Sequence, residues 1–554
     1  MKTSRIFRIF MMALDTFVLA FLRLFRKFTH LKSYPAAEET SLEDTPHALP
    51  ETRPDVLGLQ PTLEVDGQEV AEYRRSRPID FSDQENYTAH EGIVTFRGDH
   101  KRSGAAYGSL SAPPTGLEVA WQVTTGRLEK GYGHGYWTGS GWTGQPLLVR
   151  WEESLRRSMN IYPEKKDKDG LTEAVYSTMD GRVYFLDIAD GSATRDPIHV
   201  GLPFKGAGAV DPRPIHMVHL GPGDSGPTEE LYARAYLYSL GDGEKLLEYG
   251  GKDPFAIRSF TGFDSSPLVH ASTDTLIEPS ENGILYTMQL NSSYDKATGK
   301  VTIDPTEVVK LRYKTARSSE KSYWLGMEDS AVTWKNFLYI ADNGGTLMCI
   351  DLNTMTIVWA QDVADDTNGS PVFSVEDGVP YIYIATSLHW KASRRLKLGD
   401  VPIFKINAVN GQYVWIRSYF CNTIAGISGG IQATCAIGRE GSDIEDLVFF
   451  PVARTPQVRS GLLVALDKKT GKEVWKLPMA RYAWSSPVAV YDAGGKGYIL
   501  QGDSVGNLML IEGSTGKVMA SVDLGSNIEA SPAVFDDMLV VGTRGQKIYG
   551  VRIK

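Results

Sequence analysis

The stretch Asp467-Lys468-Lys469-Thr470-Gly471-Lys472-Glu473-Val474-Trp475, followed by Ser485-Ser486-Pro487-Val488, decides the fold, because the same phrase returns one unit later. The second copy reads Thr515-Gly516-Lys517-Val518 and then Ala530-Ser531-Pro532-Ala533. A period of about 45 residues indicates an array of small units, none of which can bury its apolar face alone. The sequence therefore predicts a repeat array.

Eight units can be counted from the residues that open the first strand of each. Five openings carry a proline, namely Pro146, Pro267, Pro371, Pro487 and Pro532. Three disguised copies lie between these prolines, namely Asp211-Pro212-Arg213, Glu328-Asp329-Ser330-Ala331-Val332 and Ser428-Gly429-Gly430-Ile431-Gln432.

Within each unit, short apolar and β-branched runs alternate with turns that contain Gly and Asp, and four strands per unit make one blade of a β-propeller. Before the fourth strand, an acidic or amide residue precedes a glycine by four positions, as in Asp467 and Gly471. The acidic side chain caps the turn, and glycine accepts the positive φ that the turn needs. Met355 stands where this glycine is expected, which predicts a distorted turn.

The two ends of the repeat region are predicted to share one blade. The last unit supplies three strands, and the segment 117–123 carries the apolar-x-Trp ending of a fourth strand. Pairing between them would close the ring and remove the free sheet edges. We therefore expect an all-β, eight-bladed β-propeller of four-stranded antiparallel blades. Its repeat tryptophans should pack between neighbouring blades, and they are Trp121, Trp359, Trp415 and Trp475.

The composition excludes several classes of protein. A net charge of −9 gives no basic groove for nucleic acid, so no nucleic-acid partner is expected. The three cysteines, Cys349, Cys421 and Cys435, form no C-x-x-C motif and no adjacent pair. Zinc, haem attachment and a disulfide framework are therefore unsupported.

The amino-terminal segment 1–32 differs from the rest of the chain. An apolar run from Ile9 to Leu22, interrupted by Asp15, has basic residues on both sides. Three interpretations remain open: a signal-anchor, an amphipathic helix on an anionic membrane surface, and a cleaved export signal. All three place this end at a membrane, as a membrane anchor or export-signal helix, while basic residues on both flanks leave its orientation open. We expect the propeller on the extracytoplasmic side. A polar, poorly ordered linker is predicted over 33–91, and the propeller over 92–554.

The repeat pattern resembles the PQQ-like β-propeller repeats of bacterial proteins, through Ser-Ser-Pro-Val, the Asp-x-x-Thr-Gly-Lys-x-Val-Trp turn and the phrase Thr95-Phe96-Arg97-Gly98-Asp99. This superfamily includes quinoprotein alcohol dehydrogenases, which hold pyrroloquinoline quinone and calcium at the centre of the ring. It also includes a cofactor-free propeller lipoprotein of the outer-membrane assembly machinery. The dehydrogenases carry an adjacent Cys-Cys pair that this chain lacks, so the resemblance favours the non-enzymatic branch. Quinone and calcium are implied by the resemblance alone.

Topology points to a candidate ligand site. In a propeller, the loops that lead into strand one and those that join strands two and three lie on one face, which we call the funnel face. The polar and aromatic residues that depart from the repeat in these loops are the candidates for a binding site, and they are Trp142, Asp264, Glu328, Asp329, His389, Trp390, Arg454, Trp484, Glu529 and Arg544. Asp180, Asp342 and Asp503 occupy hairpin positions where a structural role is favoured.

These features favour a membrane-tethered extracytoplasmic propeller that acts as a binding or scaffold protein, with a protein or small molecule bound at the funnel face. A quinone- and calcium-dependent oxidoreductase is the alternative, since a carboxylate excess could hold calcium. A second alternative is an extracellular glycan-binding protein, because aromatic residues surround the same mouth.

Overall fold

The computed structural model describes residues 44–131, 134–141, 144–228, 230–316, 325–389, 398–424 and 427–554. Eight antiparallel sheets succeed one another along the chain, each with four strands that run in order from the channel outward. Short helices occur only at the periphery of the described part, at Pro54–Leu57, Phe81–Gln84, Glu153–Ser158 and Pro163–Lys166. The predicted all-β, eight-bladed propeller is confirmed.

The first four blades follow one another directly in sequence. Blade 1 contains Leu147–Arg150, Thr172–Ser177, Arg182–Asp187 and Ile198–His199. Blade 2 contains Ala209–Val210, Met217–Leu220, Ala235–Ser239 and Lys245–Tyr249. Blade 3 contains Leu268–His270, Thr275–Pro279, Ile284–Gln289 and Thr306–Lys314. Blade 4 contains Val332–Trp334, Phe337–Ala341, Thr346–Asp351 and Thr356–Asp362.

The remaining blades complete the ring. Blade 5 contains Val372–Glu376, Val379–Ala385, Leu398–Asn407 and Tyr413–Asn422. Blade 6 contains Ala436–Ile437, Leu447–Ala453, Gly461–Asp467 and Glu473–Met479. Blade 7 contains Val488–Tyr491, Gly497–Gly502, Asn507–Glu512 and Val518–Asp523. Blade 8 contains Ala533–Phe535, Met538–Thr543, Lys547–Ile553 and, from the other end of the repeat region, Leu117–Thr124.

Blade 8 closes the ring by joining the two ends of the repeat region. Leu117–Thr124 pairs antiparallel with Lys547–Ile553, with Leu117 opposite Ile553 and Thr124 opposite Lys547. Because the ring is closed, the array has no terminal blade. An open array would expose such a blade, and its free edge could aggregate.

A series of hydroxyl groups joins the starts of six consecutive inner strands. In this series each backbone N–H donates to the side-chain hydroxyl of the next member, over 2.8–3.2 Å. The members are, in order, Ser266, Ser330, Ser370, Thr434, Ser486 and Ser531. The sixth unit therefore opens at Thr434, and not within Ser428–Gln432 as the sequence predicted. Gly429–Gly430 instead pairs with Ser387–Leu388, and Gly430 also pairs with Ala453 at the end of the second strand of blade 6.

The repeat tryptophans dock on the turn of the following blade. Trp415 of blade 5 donates its ring N–H to the carbonyl of Lys468 in blade 6 over 2.9 Å, and its ring covers Gly471 so closely that a Cβ there would lie 2.6 Å away. The same pairing of ring and glycine joins Trp121 to Gly191, Trp359 to Gly411 and Trp475 to Gly516. The glycine of the motif thus serves the neighbouring tryptophan as well as its own turn.

The turn at Met355 keeps the shape of the glycine turns, contrary to the predicted distortion. Met355 adopts φ 54°, and its N–H donates to the Asp351 carbonyl over 2.7 Å, as Gly471 donates to Asp467 over 2.8 Å. The side chain of Met355 is buried, so packing offsets the strain of a left-handed non-glycine residue.

The segment 91–110, which we call the plug, pairs with the inner strands of the ring. Glu91–Ile93 adds a strand to blade 1, and Ala106–Tyr107 pairs parallel with blade 8. Backbone hydrogen bonds also link the plug to blades 2, 4, 5 and 7, at Val210, Thr333, Phe373 and Tyr491. Backbone groups of six blades therefore find partners in one continuous segment.

Two fully buried arginines of the plug reach the other blades. Arg97 donates to the carbonyls of Cys435 in blade 6 and Pro487 in blade 7 over 3.0 and 2.7 Å. Arg102 donates to Ser266 O, next to blade 3, and to Ala331 O over 2.8 and 3.0 Å. Burial lowers the pKa of both guanidinium groups to about 10, which leaves them charged at neutral pH.

Residues 44–90, which we call the strap, pack against blades 3, 4 and 5 and against the plug, and this differs from the polar linker predicted over 33–91. Gln60–Val65 pairs with Thr306–Lys314 and extends blade 3, and Gln68–Val70 adds a further strand. Leu59, Ile79 and Phe81 are buried. These apolar residues are spaced singly among polar ones, which explains why the composition suggested a linker.

In the part of the chain that the structure describes, no helix is long and apolar enough to cross a membrane. The predicted anchor segment 1–32 and residues 33–43 lie outside the described residues.

We expect Arg97→Met to lower the free energy of unfolding by about 2–6 kcal/mol, because two buried carbonyls lose their donors at about 1–3 kcal/mol each. Arg53→Met is the control, since Arg53 is exposed and its ion pair with Asp55 contributes about 0.5 kcal/mol or less. Chemical denaturation of both variants measures the difference. Equal stability of the two would contradict a structural role for the plug arginine.

Candidate functional site

Three buried carboxylates meet on the funnel face between blades 3 and 4. Asp264 precedes blade 3, Glu281 lies in the turn between its second and third strands, and Glu328 precedes blade 4. One oxygen from each lies within 4.8 Å of the others. We call these residues the acidic triad. The sequence predicted Asp264 and Glu328 as site residues but missed Glu281. Glu281 lies in Ser280-Glu281-Asn282-Gly283, a loop that joins strands two and three, and such loops supplied other candidates.

Glycines in adjacent loops allow the triad to pack closely. A Cβ on Gly223 would lie 1.6 Å from an Asp264 carboxylate oxygen, and one on Gly262 would lie 2.8 Å from a Glu281 oxygen. Asp264 is only 2% exposed. Among the described residues, neither of its carboxylate oxygens accepts from an N–H or hydroxyl group, and its hydrogen-bonding neighbour is the carboxyl group of Glu281. A buried carboxylate without a donor requires a proton or a cation.

Burial makes the triad reluctant to ionise. Desolvation raises the pKa of Asp264 to about 6, although Lys205 opposes the shift. Desolvation, with Asp366 and Asp264 nearby, raises the pKa of Glu328 to about 8. The pKa of Glu281 also lies well above its ordinary value, because of burial first and its two acidic neighbours second. Carboxylates placed this close cannot all be charged without a compensating cation.

Lys205 and Arg258 are the permanent cations beside the triad. Burial alone would lower the pKa of the Lys205 amine, but Asp264, Asp224 and Glu281 raise it above its ordinary value. Arg258 lies 3.6 Å from Glu281 Oε2 and donates to Asn343 Oδ1 over 2.8 Å. Two cations thus face the triad and the neighbouring Asp224 and Asp366, which leaves negative charge in excess when every acid is ionised.

Amide side chains extend the site to blade 5. Asn343 and Asn368 donate to Glu328 Oε2 over 3.1 and 2.8 Å. Asn343 also donates to Asp366 Oδ1 over 2.9 Å, and His389 Nδ1 lies 2.8 Å from Asp366 Oδ2. Burial would raise the pKa of Asp366, but His389, Asn343 and Ser387 lower it below its ordinary value. Asp366 therefore remains ionised beside the triad.

Aromatic rings lie next to the same site. Trp137 lies in the hairpin formed by Arg127–Glu129 and Tyr136–Thr138, and its ring centroid is 5.6 Å from Lys205 Nζ. The ring of Phe260 is 5.7 Å from the same amine. A ligand at the triad would therefore meet flat apolar surfaces as well as charge.

The other described candidates are not members of the triad, although Asp329 follows Glu328 directly and interacts with its charge. Asp329 is buried beside Asp342. Arg454 donates to the carbonyls of Ser428 and Val458, and its guanidinium covers the Tyr482 ring, which lies next to Trp484.

Glu529 and Arg544 form an ion pair at 3.6 Å on blade 8. Trp142 and Trp390 lie outside the described residues. Of the ten candidates, the structure thus groups Asp264 and Glu328 directly, and His389 through Asp366.

The hairpin aspartates have the structural role that the sequence favoured. Asp342 Oδ1 accepts from the N–H groups of Gly344 and Thr346 over 2.9 and 2.8 Å. Asp503 Oδ1 accepts from three successive turn N–H groups, each over 3.0 Å. Asp180 Oδ2 accepts from Gly126 N–H and Tyr184 OH, both over 2.7 Å.

Comparisons with known proteins agree with this architecture. A protein-family model described as "Outer membrane protein assembly factor BamB" matches residues 459–554. No curated protein matches the chain. The quinohemoprotein alcohol dehydrogenase ADHIIG from Pseudomonas putida HK5 is similar in structure, with a TM-score of 0.53 and 12% identity over 84% of this chain and 80% of that one.

BamB from Moraxella catarrhalis is 13% identical over 73% of this chain and 98% of that chain, with a TM-score of 0.44. At such low identities, the structural likeness concerns the fold alone. The chain has the eight-bladed fold of the PQQ-like propeller superfamily, as the repeat phrase predicted.

We expect the chain to lose stability in metal-free buffer as pH rises from about 4.5 to about 8. The unfolded chain releases the Glu328 proton near its ordinary pKa of 4.5, whereas the folded chain keeps it up to about 8. The stability that comes from this proton is therefore fully present below pH 4.5 and is lost as pH rises through about 8.

Denaturation curves measured across this pH range test the expectation. Glu328→Gln should remove the contribution of about one proton from the slope of the free energy of unfolding against pH. That contribution is about 1.4 kcal/mol per pH unit. Glu164→Gln, at an exposed acid, should leave the slope unchanged. A slope that does not change in Glu328→Gln would contradict the raised pKa.

Proposed function

We propose that this protein is a membrane-tethered, extracytoplasmic binding protein that takes a cation, or the cationic group of a ligand, at the acidic triad of the funnel face. The observation that carries the proposal is the burial of Asp264, Glu281 and Glu328 within ligand distance of one another, with neither Asp264 oxygen accepting from an N–H or hydroxyl group among the described residues. Such an arrangement costs free energy unless a positive group compensates it.

The chemistry of the donors favours a hard cation. Carboxylate oxygens bind calcium at about 2.3–2.6 Å, and three of them around one ion would lie within the spacing of the triad. Asp366 adds negative charge nearby. Because a cation must displace the protons of the triad, its affinity should rise with pH.

A quinone-dependent oxidoreductase is the second candidate. Two observations favour it: the cation-binding chemistry of the triad and the likeness of the fold to a quinohemoprotein alcohol dehydrogenase. The triad fits the metal that such chemistry requires, and Trp137 offers a flat ring nearby. Against it, the cysteines at 349, 421 and 435 are isolated, buried and free. Binding without catalysis therefore has the stronger support, and the glycan alternative has only the nearby aromatic rings.

The membrane tether rests on residues 1–32, where an apolar run lies between basic flanks. The extracytoplasmic side rests on the resemblance to exported propellers. In this arrangement the propeller holds its ligand or partner outside the cytoplasm while the amino-terminal segment keeps it at the bilayer.

We expect Ca²⁺ to stabilise the chelator-treated protein at pH 8. At 100 times its dissociation constant, the ion should add about 2.7 kcal/mol to the free energy of unfolding. Calorimetry in buffers of different ionisation enthalpy should record proton release on binding. Both effects should disappear in Glu328→Gln and persist in Glu529→Gln, which alters an acid on the same face outside the triad.

If Ca²⁺ neither binds nor stabilises the protein, the cation proposal fails. Addition of pyrroloquinoline quinone together with Ca²⁺ separates the two candidates. A bound quinone absorbance that depends on Glu328 would favour the oxidoreductase, and Ca²⁺ binding without quinone uptake would favour the binding protein.

We expect a cysteine introduced at Val505, which is exposed in the turn between the second and third strands of blade 7, to react with a membrane-impermeant maleimide in intact cells. The native cysteines are buried and give little background, so the unaltered chain is the control. Labelling that requires cell lysis would place the propeller in the cytoplasm and contradict the proposed side.

A further inference from the structure

The face opposite the funnel contains a large groove of about 1670 Å³. One wall is formed by the end of the strap and the plug, from Glu85 to Leu110, and the other by the rims of blades 5, 6 and 7. We call it the plug-face groove. The acidic triad opens on the other face, so the groove is a separate surface.

The exposed charges of the groove are mainly negative. The exposed acids of its lining are Glu85, Glu91, Asp377, Glu440, Glu445 and Asp446. The exposed bases are Arg439 and Lys469, and Arg439 already covers the Tyr491 ring at 4.2 Å. A partner for this groove should therefore carry several positive charges.

Of the two buried lysines of the lining, Lys405 is paired with an acid, whereas Lys468 is hydrogen-bonded to a neutral carbonyl. Lys405 Nζ lies 2.6 Å from Glu376 Oε2 and donates to the Lys468 carbonyl over 2.9 Å. Lys468 Nζ donates to the carbonyl of Gly438 over 2.9 Å. Lys468 keeps its charge and lies near Glu445 and Asp446. The six exposed acids therefore face Arg439, Lys469 and Lys468 and remain in excess.

The described chain begins beside this groove. Asp44 pairs with Lys335 of blade 4 at 3.1 Å, and His47 N–H donates to the carbonyl of Val409 in blade 5. Glu51 accepts from Gln412, which itself lines the groove. The amino-terminal segment therefore joins the propeller on the plug face.

A basic stretch lies further upstream, separated from Asp44 by residues 33–43, which carry Glu38, Glu39 and Glu43. In the ten residues Arg23–Lys32, four are Arg or Lys and none is Asp or Glu. Residues 33–43 connect this stretch to Asp44 and can span at most about 40 Å. The stretch directly follows the apolar run that ends at Leu22.

We propose that Arg23–Lys32 docks in the plug-face groove, against the acids of its rim. The docked stretch would hold the plug face toward the bilayer, so that the funnel face and its acidic triad open away from the membrane. This orientation rests on the proposed membrane tether. Opposite charge supplies the attraction, and the short connection raises the effective concentration of the basic stretch at the groove.

A carbodiimide cross-linker applied to the full chain in detergent tests the docking, because it joins a lysine amine to a carboxylate in direct contact with loss of water. We expect mass spectrometry to find Lys27 or Lys32 joined to Glu440, Glu445 or Asp446. Mixing isotopically labelled and unlabelled chains should show that the links are intramolecular. Raising the ionic strength from about 0.01 M to about 1 M should lower their yield about fivefold, because the Debye length falls from about 30 to about 3 Å.

A variant with Glu440→Gln and Glu445→Gln should lose most of the links from Lys27 and Lys32 to the unaltered Asp446, because less negative charge holds the stretch. Glu164→Gln, at an exposed acid outside the groove, should keep them. The docking is refuted if Lys27 and Lys32 form no links to the groove acids. It is also refuted if anionic phosphatidylserine vesicles abolish the links, since the lipid surface would then hold the stretch.

Flotation of the full chain with neutral phosphatidylcholine vesicles examines the tether separately. If the chain floats without groove links, the docking fails and the tether stands. If links form in a chain that does not float, the docking holds and the proposed tether fails.

Discussion

The structure depends on satisfying the inner edges of eight blades around one channel. Each innermost strand presents backbone N–H and carbonyl groups that the blade itself cannot pair, and leaving such groups buried without partners costs free energy. The plug supplies partners through its own backbone, and Arg97 and Arg102 reach the carbonyls that the backbone does not. A side chain with five donors and a permanent charge is well suited to bridging two carbonyls in adjacent blades.

Contacts between blades use the repeat itself. The hydroxyl series from Ser266 to Ser531 joins the inner strand openings, and the tryptophans cover the turn glycines nearer the outer strands. The junctions between blades 4 and 5, 5 and 6, and 6 and 7 therefore have contacts at two radii. The two termini of the repeat region meet in blade 8, and Trp121 of this blade contacts Gly191 of blade 1 where the ring closes.

The acidic triad is a departure from this regularity. Asp264, Glu281 and Glu328 come from three loops of two blades, and they lie in a region where burial penalises their charge. Hydrogen bonds from Asn343 and Asn368 hold Glu328 in place without neutralising it. Groups whose ionisation is opposed by their surroundings are typical of functional sites, because a bound ligand can stabilise the charged form. The plug-face groove differs because its acids are exposed, which suits a basic segment of chain better than a small ion.

The sequence alone determined the fold class, the number of blades, the closing segment and the tryptophan contacts, because each follows from a repeated local pattern with a fixed period. It also placed Asp264 and Glu328 on the funnel face, since strand order decides which loops share a face. Only the tertiary structure decided that Thr434 opens blade 6, that the plug arginines pair with distant carbonyls, and that Glu281 completes the triad. These depend on side chains far apart in sequence and on three-dimensional distances within the ring, which no local pattern encodes.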